Sequence, residues 1–255
     1  MTVTERPYTR LFDLTGRVAI VTGGAGALGR EIGRGLAAFG ARVIFADLDR
    51  ERAADAATGV VGARAEIVDV TEPESARALV SRVVAADERI DVLVNSAGVF
   101  RVAPMLELKL SDWESVLKVN LTGIFVMTQA VGAVMLRQGK GRVINLGSVS
   151  SRVGNPEYAA YAASKGGVAQ LTRALGAEWC RHGVLVNAIG PAFTETPLTR
   201  GYLERPDARR RVLEKIPMGR MGEPRDLVGA AVFLASDASE FVVGQTLYVD
   251  GGRTL

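Results

Sequence analysis

An α/β fold is what the sequence predicts: one domain built on a doubly wound, seven-stranded parallel sheet with helices on both faces. Three observations predict it. Seven short apolar, β-branched runs recur along the 255 residues, and near-continuous apolar runs are what strands buried on both faces look like. Segments of helical periodicity separate the runs, and strict alternation calls for parallel strands joined by helical crossovers. A glycine-rich turn follows the first run and opens the first helix.

The elements justify themselves in order. The runs are RVAIVTG (17–23), ARVIFAD (41–47), AEIVDV (65–70), IDVLVNSAG (90–98), GRVINLGS (141–148), VLVNAIGP (184–191) and TLYVDGG (246–252). A helix is expected from Leu28 to Phe39. Residues 72–88 carry Ala76, Leu79, Val80, Val83 and Val84 on one 3.6-period stripe, and Thr71 with Glu74 spells a capping box at its start. Ser111 with Glu114 repeats that box before a helix running to about Arg137, where Gly139 is the stop signal. Another helix is expected over 158–181. Residues 192–223 hold Pro197, Pro206 and Pro217 and no clear periodicity. They read as a substrate lid or as a surface excursion, not as a second domain.

Bulk properties exclude several classes. The chain is 48% hydrophobic, enough for one large core. A single cysteine, Cys180, excludes an internal disulfide framework, and with a single histidine, His182, a Cys/His zinc site is not expected. The opening MTVTERPYTR lacks the apolar core of a signal peptide. No apolar run approaches the eighteen or so residues that a membrane span needs. A cytoplasmic protein with neither membrane nor nucleic-acid partner is therefore expected. The pI is about 9.2, but 31 cationic residues face 28 acidic ones and are interspersed with them, unlike a nucleic-acid patch. One local cluster stands out: Arg205, Arg209, Arg210, Arg211 and Lys215. It reads as a solvated helix face or as a basic lip that attracts an acidic substrate.

The turn TGGAGALG (22–29) matches G-x-G-x-x-G from Gly24. Following a strand and opening a helix, it has the context of a dinucleotide site, where backbone N–H groups hold a pyrophosphate and glycines permit close approach. The second strand ends at Asp47, 24 residues beyond Gly23. A carboxylate there accepts from ribose hydroxyls and repels a 2′-phosphate, which favours NAD over NADP. Arg50 and Arg52 could offset that repulsion but fall on the next helix and are discounted. Asp49 is an alternative ribose partner or the N-cap of that helix. Asp69 could reach the adenine amino group or cap a turn.

Without metal ligands, few residues can do chemistry. In YAASK (161–165), Tyr161 and Lys165 are one helical turn apart and face the same way. A phenol titrates near 10. A nearby ammonium and an oxidised nicotinamide both favour phenolate, so the pair can serve as general base for alcohol oxidation.

With these stretches in place, the chain resembles the short-chain dehydrogenase/reductase family over essentially its whole length, a Rossmann fold. The resemblance rests on TGGAGALG, DV (69–70), NSAG (95–98), VNLTG (119–123), GS (147–148), YAASK, NAIGPAFTET (187–196) and FVVGQTLYVDGG (241–252), in that order. It implies that Tyr161 is the catalytic acid/base and that Lys165 holds the nicotinamide ribose and lowers the Tyr161 pKa. Ser148 would bond the substrate oxygen, ahead of its neighbours Ser150 and Ser151, and Asn120 would hold a proton-carrying water. Tyr158 is set aside, because Ala162 stands where its lysine should be. Gly23, Gly26, Ala27, Leu28 and Gly29 would form the pyrophosphate loop, with Asp47, Leu48, Asp69 and Val70 near the adenosine. Asn95, Ala97 and Gly98 would pack near the adenosine and the pyrophosphate. Pro191, Ala192 and Thr194 would meet the nicotinamide.

Two positions depart from the family pattern. Ala27 replaces the sixth-position glycine of TGxxxGxG, and Ala192 replaces the glycine of a Pro-Gly pair. An alanine is tolerable where φ is negative and costly where it is positive, and Gly24 and Gly26 are candidates to supply the missing freedom. The resemblance also implies a homotetramer and a secondary-alcohol or ketone substrate. Sugar-acid, polyol and small-alcohol dehydrogenases come first, since the loop lacks the basic residue usual in 3-oxoacyl carrier-protein reductases, which come second. A non-catalytic NAD-binding member is the third alternative. Arg152, four residues past Ser148, could meet a substrate anion or simply be exposed.

Overall fold

The structure, a computed structural model, describes residues 8–255; the reading of the opening segment falls largely on residues 1–7, outside them. The chain alternates as expected through β1 (Val18–Thr22), α1 (Ala27–Ala38), β2 (Arg42–Asp47), α2 (Arg50–Ala57), β3 (Arg64–Ile67), α3 (Pro73–Asp87) and β4 (Val92–Asn95). It continues through α4 (Leu110–Leu117), α5 (Gly123–Gln138), β5 (Gly141–Leu146), α6 (Ala159–Trp179) and β6 (Val184–Pro191). The last elements are α7 (Pro197–Leu203), α8 (Ala208–Leu213), α9 (Val228–Ala235) and β7 (Thr246–Val249). The seven strands form one parallel sheet in the order β3-β2-β1-β4-β5-β6-β7. Strand order reverses between β1 and β4, and such a switch point opens a crevice beyond the strands' carboxyl ends.

The central strands β1, β4, β5 and β6 are buried on both faces of the sheet, and this explains their near-continuous apolar runs. Along β1, Val18 and Ile20 pack into one core with Leu79, Val83, Met127 and Met135 of α3 and α5. The intervening Ala19 and Val21 pack into the other, with Ile32 and Leu36 of α1 and Leu234 of α9. The period-two alternation of a strand thus feeds two apolar layers.

Three local expectations are corrected. The apolar runs overshoot the strands: β3 stops at Ile67 and β4 at Asn95, so Val68–Val70 and Ser96–Gly98 leave the sheet as loops. Neither proposed capping box forms. α3 starts at Pro73 after Glu72, whose side chain makes no cap, because the Thr71 hydroxyl donates instead to Asp69 Oδ1 at 2.8 Å. α4 starts at Leu110, which takes Ser111 inside the helix. Gly139 does close α5, in a left-handed conformation at φ +66°. Finally, the continuous helix Leu110–Gln138 is long and apolar enough to cross a membrane by composition, with mean hydropathy 1.7. Its apolar residues Val126, Met127, Val131 and Met135 are core instead, as befits a helix laid on a buried sheet.

Candidate active site

A cavity of about 970 Å³ lies beyond the carboxyl ends of the strands. One end is walled by the glycine turn. Gly23 has φ +62°, and a Cβ there would stand 2.7 Å from the Ala97 backbone. A Cβ on Gly24 would stand 2.9 Å from Phe45 Cα, and one on Gly29 would collide with the Gly23 carbonyl oxygen. The three glycines therefore let β1, β2, α1 and the loop after β4 come together at this corner.

This geometry decides between the two frames of TGGAGALG. Gly23 is the position that needs the left-handed region. Ala27 is the first residue of α1 and is not among the positive-φ residues. Gly26 sits at φ −73°, an ordinary conformation, and Gly24 is not left-handed either. The expectation that Gly24 and Gly26 compensate for Ala27 is thus corrected: a helical φ at Ala27 leaves nothing to compensate. Ala192 is likewise not at positive φ, and its N–H donates to the Val249 carbonyl at 3.3 Å. We expect Ala27→Gly to leave NAD affinity within about threefold and to lower stability by up to about 1 kcal/mol, the helix penalty of glycine. Isothermal titration and urea unfolding measure both; a tenfold tighter NAD complex would mean that the methyl obstructs the loop.

The corner fits a dinucleotide pyrophosphate. No side chain caps α1, so its first-turn N–H groups are free for an anion, and Gly26, Ala27, Leu28 and Gly29 line the cavity. Asp47, at the end of β2, lines it beside the exposed Leu48. Asp47 Oδ2 accepts from Ala25 N at 3.0 Å and Oδ1 from Asp49 N at 3.3 Å. Asp49 caps α2 by accepting from Glu51 N and Arg52 N, and it does not line the cavity. Arg52, discounted from sequence, does line it, whereas Arg50 does not. Arg52 is the third residue of α2 and is solvent-exposed.

Asp69 lines the cavity with Val70 and also caps a turn, accepting from Thr71 N at 2.9 Å. Ala97 and Gly98 line it too. Asn95 does not, which corrects its expected place beside the adenosine. It is the last residue of β4 and points into the core, where its Nδ2 donates to Thr128 Oγ1 at 3.0 Å and Asn145 Oδ1 at 2.9 Å.

At the other end stand Ser148, Tyr161 and Lys165, with Asn120, Pro191, Ala192 and Thr194. α6 carries Tyr161 and Lys165 on one face; Lys165 Nζ lies 5.7 Å from the Tyr161 ring centroid and donates to the Leu146 carbonyl at 2.6 Å. Burial pushes the Tyr161 phenol above its ordinary value, opposed by the hydrogen bond with the Ser148 hydroxyl. Burial pushes the Lys165 ammonium down to about 8. In the protein by itself the phenol is therefore held up by burial, with the Ser148 hydrogen bond as the opposing influence, and the lowering expected of Lys165 together with an oxidised nicotinamide is not seen without that cofactor.

Asn120 sits in a π turn, Lys118–Thr122, between α4 and α5. Its amide is spent on structure: Oδ1 accepts from Val99 N at 2.8 Å, and Nδ2 donates to the Val99 carbonyl at 3.0 Å and Ser164 Oγ at 3.2 Å. Ser148 Oγ accepts from Ser150 N at 3.1 Å, and Ser151 is turned away towards the Tyr248 hydroxyl at 3.0 Å. Arg152 is exposed, outside the cavity lining, with its guanidinium over the Tyr248 ring at 5.8 Å. That removes it as a partner for a substrate anion.

Sequence reasoning missed an aromatic wall. The Phe100 ring lies 5.0 Å from Tyr161, 5.3 Å from Tyr158 and 6.0 Å from Tyr202, all edge-on. Tyr158 is buried and its phenol pushed up, so the tyrosine set aside as a base forms part of the wall. Residues of the 192–223 segment, among them Thr196, Leu198, Tyr202 and Ile216, cover this end of the cavity. Only the proximity of Phe100 to NSAG hinted at the wall; Tyr202 is brought there by α7 from a segment with no periodicity to read.

The chain matches, over residues 23–254, the family model described as enoyl-(acyl carrier protein) reductase. It is 43% identical to galactitol 2-dehydrogenase (L-tagatose-forming) of Cereibacter sphaeroides, covering 97% of this chain and 99% of that protein. It is 42% identical to D-threitol dehydrogenase of Mycolicibacterium smegmatis, covering 96% and 95%. Among solved structures, a gluconate 5-dehydrogenase from Burkholderia cenocepacia, in complex with NADP and tartrate, superposes with a TM-score of 0.92. It is 40% identical over 96% of this chain and 98% of its own.

Proposed function

The chain belongs to the short-chain dehydrogenase/reductase family, and we propose that it is an NAD-preferring dehydrogenase. Its substrate in this reading is a secondary alcohol or ketone: a sugar acid, a polyol or another small hydroxy compound. The observation that carries the reading is the pairing, in one cavity, of a phosphate-fitting glycine corner with the Ser148–Tyr161–Lys165 group.

When bound, the nicotinamide supplies hydride acceptance and donation. The chain's own residues do the rest. Gly23, Ala27, Leu28 and Gly29 would hold the pyrophosphate by backbone N–H groups, and Asp47 would take the ribose hydroxyls. Ser148 Oγ bonds the reacting oxygen and stabilises charge that develops on it. Tyr161 Oη takes the hydroxyl proton during oxidation and returns it during reduction. Lys165 supplies a cation that favours phenolate, held in place by the Leu146 carbonyl. The wall of Phe100, Tyr158 and Tyr202 excludes water from this end.

Support for NAD over NADP is Asp47, whose carboxylate at the end of β2 repels a 2′-phosphate. The Burkholderia relative is in complex with NADP, and Arg52 at the cavity edge is the group here that would favour it. A panel of sugar acids, polyols and cyclic alcohols, followed by NADH absorbance, tests the reading; no turnover with any member would count against it. In Asp47→Ala we expect the NAD-to-NADP ratio of kcat/KM to fall about tenfold or more, the size of one lost charge–hydroxyl interaction. An unaltered ratio would remove Asp47 from cofactor choice.

A further inference from the structure

The five cations singled out between residues 205 and 215 divide into two sets. Arg205 pairs with Glu157 at 2.6 Å, Arg209 with Glu195 at 3.1 Å, and Arg210 with Asp207 at 3.2 Å. Arg211 and Lys215 pair with no carboxylate among the described residues, and both line the cavity. Arg211 lies near the end of α8 and Lys215 in the turn after it.

A third cation joins them from the other end of the chain. Arg253, also lining the cavity, donates to Asn155 Oδ1 at 3.3 Å, and Lys215 Nζ donates to the same oxygen at 3.4 Å. Two full positive charges thus share one neutral amide oxygen over long contacts. The carboxylate closest to Arg253 in sequence, Asp250, is committed to its own turn, accepting from Gly252 N, Thr254 N and Thr254 Oγ1. Arg211 has only the Pro206 carbonyl, at 3.1 Å. Like charges brought together repel even where solvent damps them, as at the exposed Arg211 and Lys215, and an anion between them relieves that repulsion.

We propose that Arg211, Lys215 and Arg253 form an anion subsite at the lid end of the cavity, and that the substrate carries a carboxylate or phosphate remote from the carbon that is oxidised. This deepens, and rests on, the dehydrogenase reading. It favours an acidic hydroxy compound over a neutral polyol, and it makes three residues from α8, its following turn and the C-terminal turn determinants of specificity. The guanidinium groups suit bidentate contact with either anion, and Lys215 acts as a point charge. The Glu157–Arg205 pair beside the subsite is already neutralised and gives the anion no fourth cation.

The test compares kcat/KM with NAD for neutral polyols, their aldonates and their phosphate esters. The proteins are the wild type, Lys215→Gln, Arg253→Gln and the double variant, with Arg209→Gln as a control outside the cavity. The expected result is a fall of at least tenfold, through KM, in the anion-to-polyol ratio for each single variant and more for the double, with the control at the wild-type ratio. A loss confined to aldonates assigns the subsite to carboxylates, and one confined to phosphate esters assigns it to phosphates. Equal ratios in all proteins would overturn the subsite. Should the wild type turn over no panel member, the dehydrogenase reading fails for that panel and calorimetry decides the subsite. Gluconate and inorganic phosphate are then titrated into the NAD-loaded protein. Binding that is lost in the double variant supports the subsite; no binding, or binding indifferent to the variants, overturns it.

Discussion

Tyr161→Phe lowers kcat for alcohol oxidation by roughly 10²- to 10⁴-fold, the range of a lost general acid/base, while NAD affinity stays within about twofold. The change removes one oxygen from a buried ring that packs edge-on against Phe100, so the wall keeps its shape. The pH profile carries the sharper information. Burial holds the Tyr161 phenol above its ordinary value, so the protonated form dominates at neutral pH. Oxidation needs the base form, and its kcat/KM should rise with pH; reduction needs the acid form and should fall. The phenylalanine variant should lose both slopes. Full activity, or a retained pH slope, would move the proton transfer to another group.

Lys165→Met should lower kcat by about 10²-fold or more, and it also changes stability in a pH-dependent way. Burial lowers the Lys165 pKa from 10.5 to about 8. Below about pH 8 both folded and unfolded chains hold the proton, and the fold carries the full cost of a buried ammonium. Between about 8 and 10.5 the unfolded chain binds more protons than the folded one, so stability rises with pH. The shift corresponds to about 3 kcal/mol. Wild-type stability minus that of Lys165→Met should therefore grow by about that amount across this window, as read by urea unfolding. The difference cancels other titrations, and it also cancels the constant loss of the bond to the Leu146 carbonyl. A difference flat in pH would mean that Lys165 is solvated. A variant with full turnover would take it out of the machinery.

Much of this was legible because the signals are local. The central strands are buried on both faces, so composition alone marked them, and YAASK fixes two side chains on one helical face whatever surrounds them. Capping was misread at Thr71 because the same hydroxyl had a competing partner, Asp69, two residues away. Asn95 was misplaced because a strand's last residue can face core or cleft, and the pleat that decides between them depends on the neighbouring strands. Arg52 was discounted because rotation of α2 about its axis, set by packing on β2 and β3, is not written in the spacing.

The sequence by itself determined the doubly wound sheet, the glycine corner with Asp47, and the Ser148, Tyr161 and Lys165 set, since each depends on periodicity or on residues near one another in the chain. Only the tertiary structure decided that Ala27 is helical and harmless, that Arg152 faces away, and that Phe100, Tyr158 and Tyr202 form one wall. It alone set Lys215 and Arg253 on one amide oxygen and placed Arg211 with them on the lining of the same cavity. The physical reason is common to these cases: side-chain direction and charge compensation are set by contacts between elements far apart in the chain, and no local pattern records them.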